Sequence, residues 1–213
     1  DRLQWIRQAP TSWCHWDPVR GGLQAHALVS ARYPQARCQV YETSAHCEPV
    51  ARQALTKPWW NPARWGVGAL QMGPPADASV QMLWSNMALH MAADPQDLIA
   101  RWHRALAVDG YLMFSCLGPD TLRELHGVYA AMGWPPAGHA FTDMHDWGDM
   151  LVHAGFAEPV MDMERGWFKS CASWVRICIL IAFPHCADGA GATSSTKCCP
   201  SVWPIRARKV SWH

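Results

Sequence analysis

The chain has 213 residues and a mass of 23.8 kDa; half of its residues are hydrophobic and 16% are charged, which suits one packed domain and excludes a disordered chain. A formal net charge of +1 with scattered basic residues leaves no electrostatic footprint for a phosphate backbone, so nucleic acid is not an expected ligand. The longest apolar run, Ile177 to Phe183, falls far short of the roughly 20 residues that span a bilayer, so no membrane is expected either.

In chain order, a short strand ending at Trp16 precedes a helix from Leu23 to Tyr33, which follows Gly21 and Gly22 and is closed by Pro34. Cys38 to Glu42 reads as a second strand and Pro49 to Thr56 as a helix. A Trp/Pro-rich loop, Pro58 to Trp65, leads to a third strand from Val67 to Met72, a turn from Pro74 to Asp77, and a fourth strand from Val80 to Trp84. Asp94 followed by Pro95 is an N-cap acid with proline at the first helical position, and that helix is expected to run to about Ala107.

After a turn at Asp109 and Gly110, Tyr111 to Leu117 is an almost unbroken apolar run, as the middle strand of a parallel sheet requires. Gly118, Pro119 and Asp120 open a helix that ends near Gly133, the loop Trp134 to His139 follows, and Asp146 to Ala154 is helical with Gly155 as its stop. Ala157 to Met163 is a sixth strand. The alternation predicts an α/β fold, an open, mostly parallel sheet with helices on both faces and a ligand crevice at the carboxyl ends of its strands.

Nine cysteines without paired Cys-x-x-Cys spacing, two of them the adjacent Cys198 and Cys199, indicate neither a disulfide framework nor a zinc site. Asp143, His145, Asp146 and Asp149 resemble a metal cluster, but acids at a helix start are better explained as cap and first-turn charges. His103, His126, His139 and His153 are isolated and receive no role. The chain starts at Asp1 with no apolar signal core behind it, so a lost native start and a cytoplasmic location are expected.

Two groups of residues can carry chemistry. A glycine-containing strand-to-helix turn with an acid about twenty residues later suits a nucleoside ligand, the acid gripping the ribose hydroxyls. Gly21, Gly22 and Glu42 have that spacing, which also fits a helix-start turn and a solvated glutamate. Ser85 and Asn86 fall where a parallel strand delivers side chains to the crevice, with Trp84 and His90 placed to wall a substrate. The alternative is a hydrogen-bonded core asparagine beside a core tryptophan.

Val80 to Asn86 with Ala88-Leu89-His90, then Asp94-Pro95, Gly110 to Phe114, and Gly118-Pro119-Asp120-Thr121-Leu122 resemble the malonyl-carrier-protein O-methyltransferases of biotin synthesis. So do Phe141-Thr142-Asp143-Met144-His145-Asp146, Gly148-Asp149, Ala154-Gly155-Phe156 and Pro159-Val160-Met161-Asp162. The resemblance is dense from residue 66 to 164. It implies a Rossmann-like class I methyltransferase sandwich that uses S-adenosylmethionine and esterifies the free carboxylate of a malonyl group on an acyl carrier protein. Under it, Gly21, Gly22, Glu42, Met72, Gly73, Ser85 and Asn86 are the cofactor-binding set, and Trp84, His90 and Arg123 the substrate-binding set. No catalytic residue is assigned, because a carboxylate is already a nucleophile and alignment is what remains to be supplied.

The sequence departs from that family at three places that face the cofactor. Asp17-Pro18-Val19-Arg20-Gly21-Gly22 replaces the usual run of alternating glycines, Gly73 stands where an adenine-contacting acid is common, and Gln81 replaces an aspartate. These departures keep a second reading open, a non-catalytic methyltransferase-like binding or assembly protein that has lost the cofactor. A dinucleotide oxidoreductase is disfavoured by the incomplete glycine motif. Residues 1–165 are read as the methyltransferase-like domain and 166–213 as an atypical tail, out of frame or poorly ordered. The last edge strand is accordingly expected to be missing or altered, with Trp174 to Phe183 as its substitute.

Overall fold

The computed structural model describes residues 3, 6, 9–56, 59–60, 70–168 and 173–184. The sheet lies in the compact unit Pro10–His185. Its elements are β1 (Ser12–Trp16), α1 (Pro18–Gly21), α2 (Leu23–Arg32), β2 (Arg37–Tyr41), α3 (Glu48–Leu55), β3 (Gln71–Met72), β4 (Val80–Asn86), α4 (Pro95–Ala105), β5 (Leu106–Leu117), α5 (Arg123–Ala131), α6 (Met144–His153), β6 (Phe156–Phe168) and β7 (Ser173–Pro184), with a 3-10 turn at Leu89–Met91.

The strands form a seven-stranded sheet in the order β3-β2-β1-β4-β5-β7-β6. β1 to β5 pair in parallel, and β7 runs antiparallel to both β5 and β6. The order reverses between β1 and β4, so the crevice at the carboxyl ends of these two strands is the topological switch point, where open α/β sheets bind ligands.

The stretch Trp174 to Phe183, expected to stand in for a missing or altered edge strand, is a strand, β7. β7 is present and lies between β5 and β6 rather than at the rim, pairing Leu112 with Ala182 and Val160 with Ile181. The Ile177–Phe183 run is hydrophobic because it is interior to the sheet; Ile181 and Ala182 are buried. β6 continues through residue 165 to Phe168.

Other boundaries also move. The turn at Asp109 and Gly110 is an irregularity inside one long strand: Val80 pairs with Leu106 and Met82 with Tyr111, so residues 107–110 are accommodated as a bulge. α4 therefore stops at Ala105, two residues earlier than expected, and α5 starts at Arg123 after Asp120 and Leu122 adopt positive φ. β4 extends two residues further, to Asn86. Only Gln71–Met72 of the third strand is described; residues 67–69 lie outside the described residues. In the Trp/Pro-rich loop, Trp59 and Trp60 are exposed, and residues 57–58 and 61–69 lie outside the description.

Alternation along β1 decides what each sheet face buries. Cys14 and Trp16 join the core under α4 and α6, with Leu83, Ile99, Trp102, Phe114, Trp147 and Leu151. Trp13 and His15 face the opposite way and meet His26 of α2, with ring centroids at 5.0 and 5.4 Å. Asp94 caps α4 as expected, its Oδ1 accepting the Asp97 N–H at 3.0 Å. Asp94→Ala is expected to lower stability by about 1 kcal/mol, read as a lower urea midpoint with an unchanged m-value; an unaltered midpoint rejects the cap. No helix among the described residues is long and apolar enough to cross a membrane.

Candidate active site

The chain leaves β1 through Asp17, which adopts a left-handed conformation (φ 52°) and turns it into α1, with Pro18 at the first helical position. That loop is held from three sides. The Asp17 carboxylate accepts the Thr43 N–H at 2.7 Å and the Thr43 hydroxyl at 2.8 Å. Glu42 Oε1 accepts the Val19 N–H at 2.8 Å. Asn86 donates through Nδ2 to the Gly21 carbonyl and accepts the Ser115 hydroxyl at Oδ1.

Gly21 is needed for close approach, since a Cβ there would lie 2.7 Å from the Asn86 carbonyl oxygen. Gly22 is needed for its backbone, at φ +94°, and a Cβ there would meet nothing within 4 Å. The same holds for Gly73, at φ +135°, whose N–H donates to the Val40 carbonyl at 2.9 Å. The two glycines thus border open space on either side of Glu42.

Glu42 is buried, and its second oxygen, Oε2, has no hydrogen-bond partner among the described residues. Burial pushes its carboxyl above the usual range; the Val19 N–H opposes that, the Asp17 carboxylate adds to it both by its charge and by the close approach of the two carboxyl groups, and Arg20 opposes it. A buried acceptor left unpaired costs free energy unless a ligand donates to it. The alternative of a solvated glutamate does not fit this burial, and an unpaired acceptor oxygen suits the hydroxyls of a ribose. Orphaned oxygen and glycine-lined space together mean that the residues present fit an adenosine-bearing cofactor, despite the altered loop.

Asn86 serves the loop, joining the ends of β4 and β5 to Gly21 with both of its polar groups. Asn86→Ala strands the Gly21 carbonyl and the Ser115 hydroxyl and is expected to destabilise the fold by about 1–3 kcal/mol. Thermal unfolding with and without S-adenosylhomocysteine checks this: a lower Tm should come with a smaller ligand-induced shift, and a wild-type Tm would refute the clip. Ser85 is buried, its hydroxyl unpaired among the described residues, in register with Trp16 and Phe114. Trp84 points to the other face, in register with His15 and Met113, and its indole N–H is also unpaired among the described residues. Met72 ends β3 beside Gly73 and is half-buried.

Of the expected substrate residues, His90 stands at the carboxyl end of β4, where its Nδ1 accepts the Leu117 N–H at 3.3 Å. Arg123 is exposed at the first turn of α5. The Asp143 and His145 side chains pair with each other at 2.7 Å while Asp143 caps α6. No group of three His, Cys, Asp or Glu among the described residues is placed to hold a metal. Sequence reading missed the anchoring roles of Asp17, Thr43 and Ser115. The sole signal for Ser115 is its register opposite Asn86, which appears only once the strands are paired.

Residues 20–114 match a protein family described as a methyltransferase domain. A malonyl-[acyl-carrier protein] O-methyltransferase from Laribacter hongkongensis is 38% identical over 170 residues, covering 77% of this chain and 57% of that protein. One of the same name from Gallionella capsiferriformans is 36% identical with the same coverage. The chain thus spans 57% of the length of these curated relatives. Among solved structures, a SAM-dependent methyltransferase from Methanosarcina mazei superposes with a TM-score of 0.61 at 11% identity, over 86% of this chain and 96% of that one. Haemonchus contortus phosphoethanolamine N-methyltransferase 2, solved with S-adenosyl-L-methionine, gives 0.61 at 9% identity, over 87% and 51%. At such identities the likeness is one of fold.

Proposed function

We propose that this chain, which resembles the malonyl-[acyl-carrier protein] O-methyltransferases and has their Rossmann-like class I methyltransferase fold, transfers a methyl group from S-adenosylmethionine to the free carboxylate of a malonyl thioester carried by an acyl carrier protein, in biotin synthesis. The observation that carries the cofactor part is the buried Oε2 of Glu42 at the end of β2, which has no hydrogen-bond partner among the described residues. Glu42 would hold the ribose hydroxyls. Gly22 and Gly73 would leave room for the nucleoside and its methionine arm, and Met72 would border the adenine. Ser85 and Asn86 would close the floor of the site.

When bound, S-adenosylmethionine supplies an electrophilic methyl group on a sulfonium. The residues of this chain have no proton to remove from a carboxylate acceptor, so their work is to orient the acceptor oxygen in line and to exclude water from the crevice. A missing general base is then a consequence of the chemistry.

Calorimetric titration with S-adenosylhomocysteine, followed by mass detection of the methyl ester on malonyl-carrier protein, tests the reading. Saturable heat together with an increase of one methyl group is expected. No heat at millimolar ligand would leave the non-catalytic binding role as the better account.

A further inference from the structure

We infer that the cleft between the 3-10 turn after β4 and the segment leading into α6 is the acyl pocket, where His90, His139, Thr142 and Trp147 hold the acceptor carboxylate through N–H and O–H donors. This rests on the methyltransferase reading and assigns its substrate side.

Position is the first argument. The cleft, a shallow one of about 90 Å³, is lined by Leu89 and His90 just beyond β4 and by residues 139–142 and Trp147. His90 is tied to Leu117, the last residue of β5. The cleft therefore opens at the carboxyl ends of β4 and β5, the same edge of the sheet at which Glu42 and Asp17 follow β2 and β1, where an acceptor has to meet a donor bound at the switch point.

Chemistry is the second. Because His90 Nδ1 accepts the Leu117 N–H, the neutral ring carries its proton on Nε2, which becomes a donor. Burial, with His139 adding to it, holds the His90 imidazole below its usual range, so it stays uncharged. Phe141 orders both imidazoles, with ring centroids 6.0 Å from His90 and 4.8 Å from His139. Trp147 is 2% exposed, and its Nε1–H has no partner among the described residues. No acidic side chain is among the described residues that line the cleft.

Such a donor set suits a carboxylate that must also react. A bidentate guanidinium would bind it more tightly, but would draw down the electron density it needs for attack. Neutral donors satisfy a desolvated carboxylate without neutralising it. Arg123, the sequence-derived candidate, is not among the lining residues.

The test is calorimetric titration of the full chain with malonyl pantetheine and, as a control lacking the carboxylate, acetyl pantetheine. Wild type should bind the malonyl compound preferentially. His139→Ala, Thr142→Val and Trp147→Phe should each weaken that binding, by about tenfold or more for loss of a hydrogen bond to a charged group, without changing S-adenosylhomocysteine affinity. His139 and Thr142 are surface-side positions, so their variants remain informative even if Trp147→Phe fails to fold. Equal binding of the two pantetheines, or wild-type affinity in both surface variants, overturns the pocket. Carboxylate-selective binding that the variants weaken, with no ester formed on malonyl-carrier protein, keeps the pocket and overturns the methyl-transfer reading instead.

Discussion

Glu42→Gln is expected to weaken S-adenosylhomocysteine binding by about 10–100-fold, the loss of roughly 1.5–3 kcal/mol carried by hydrogen bonds to a charged group. Glutamine keeps the volume and an amide oxygen that can still accept the Val19 N–H now bound to Oε1. What it removes is the negative charge and the free acceptor at Oε2. Since burial is the main cause that raises the Glu42 carboxyl, replacing it with a neutral group should leave the unliganded Tm unchanged or higher. Affinity and stability thus move apart, which a mere folding defect cannot produce. Full retention of affinity in Glu42→Gln would remove the nucleoside site from this position.

The second large effect concerns acid. His15 is fully buried in β1; its Nδ1 is 3.3 Å from Nδ1 of His26 on α2, with the rings stacked at 7°. Cys38 of β2 lies on the far side of His26, Sγ to Nε2 4.0 Å. Burial, with His26 adding to it, pushes the His15 imidazole down to about 3. The unfolded chain titrates near the ordinary value of about 6.5. Between these values the unfolded state binds the extra proton, so stability is complete above about pH 6.5 and is lost as pH falls towards 3, at about 1.4 kcal/mol per unit.

By pH 4 the loss is about 3 kcal/mol, a large share of the roughly 5–15 kcal/mol that holds a typical domain together. Urea unfolding of wild type and His15→Phe at pH 7 and pH 4 measures it. The wild type should lose about 3 kcal/mol more than the variant between the two values. Parallel losses would show that His15 does not set the acid limit.

Much of this architecture was legible along the chain because its signals are local. The Asp94-Pro95 cap, the apolar Tyr111–Leu117 strand and the Gly155 stop each act through neighbours within one turn or one strand. Failures occurred where a distant segment decided. Nothing between residues 106 and 110 announces that the sheet absorbs Asp109 and Gly110 as a bulge, since only pairing with Val80 and Met82 makes it so. Nor does the Trp174 to Phe183 run, which reads as a substitute edge strand, announce that it pairs between β5 and β6 instead of at the rim.

For the site the division is similar. Glu42 was found through spacing, because a βαβ unit puts the next strand's end a nearly constant number of residues after its first turn. Its burial and its unpaired oxygen were not, because they follow from the Val19 N–H and from α1, a helix that the altered glycine run did not predict. His139 was read as isolated for the same reason: its neighbours in the cleft come from 49 residues earlier at His90 and from the next helix at Trp147.

The order of strands and helices, the family likeness and the residue types at the crevice were thus determined by sequence, since short-range periodicity and spacing encode them. Which polar atoms are spent within the fold, as in Asn86, and which stay without a partner among the described residues, as in Glu42 and Trp147, was decided only by the tertiary structure. Hydrogen-bond satisfaction depends on partners tens of residues away, and a linear reading does not count them.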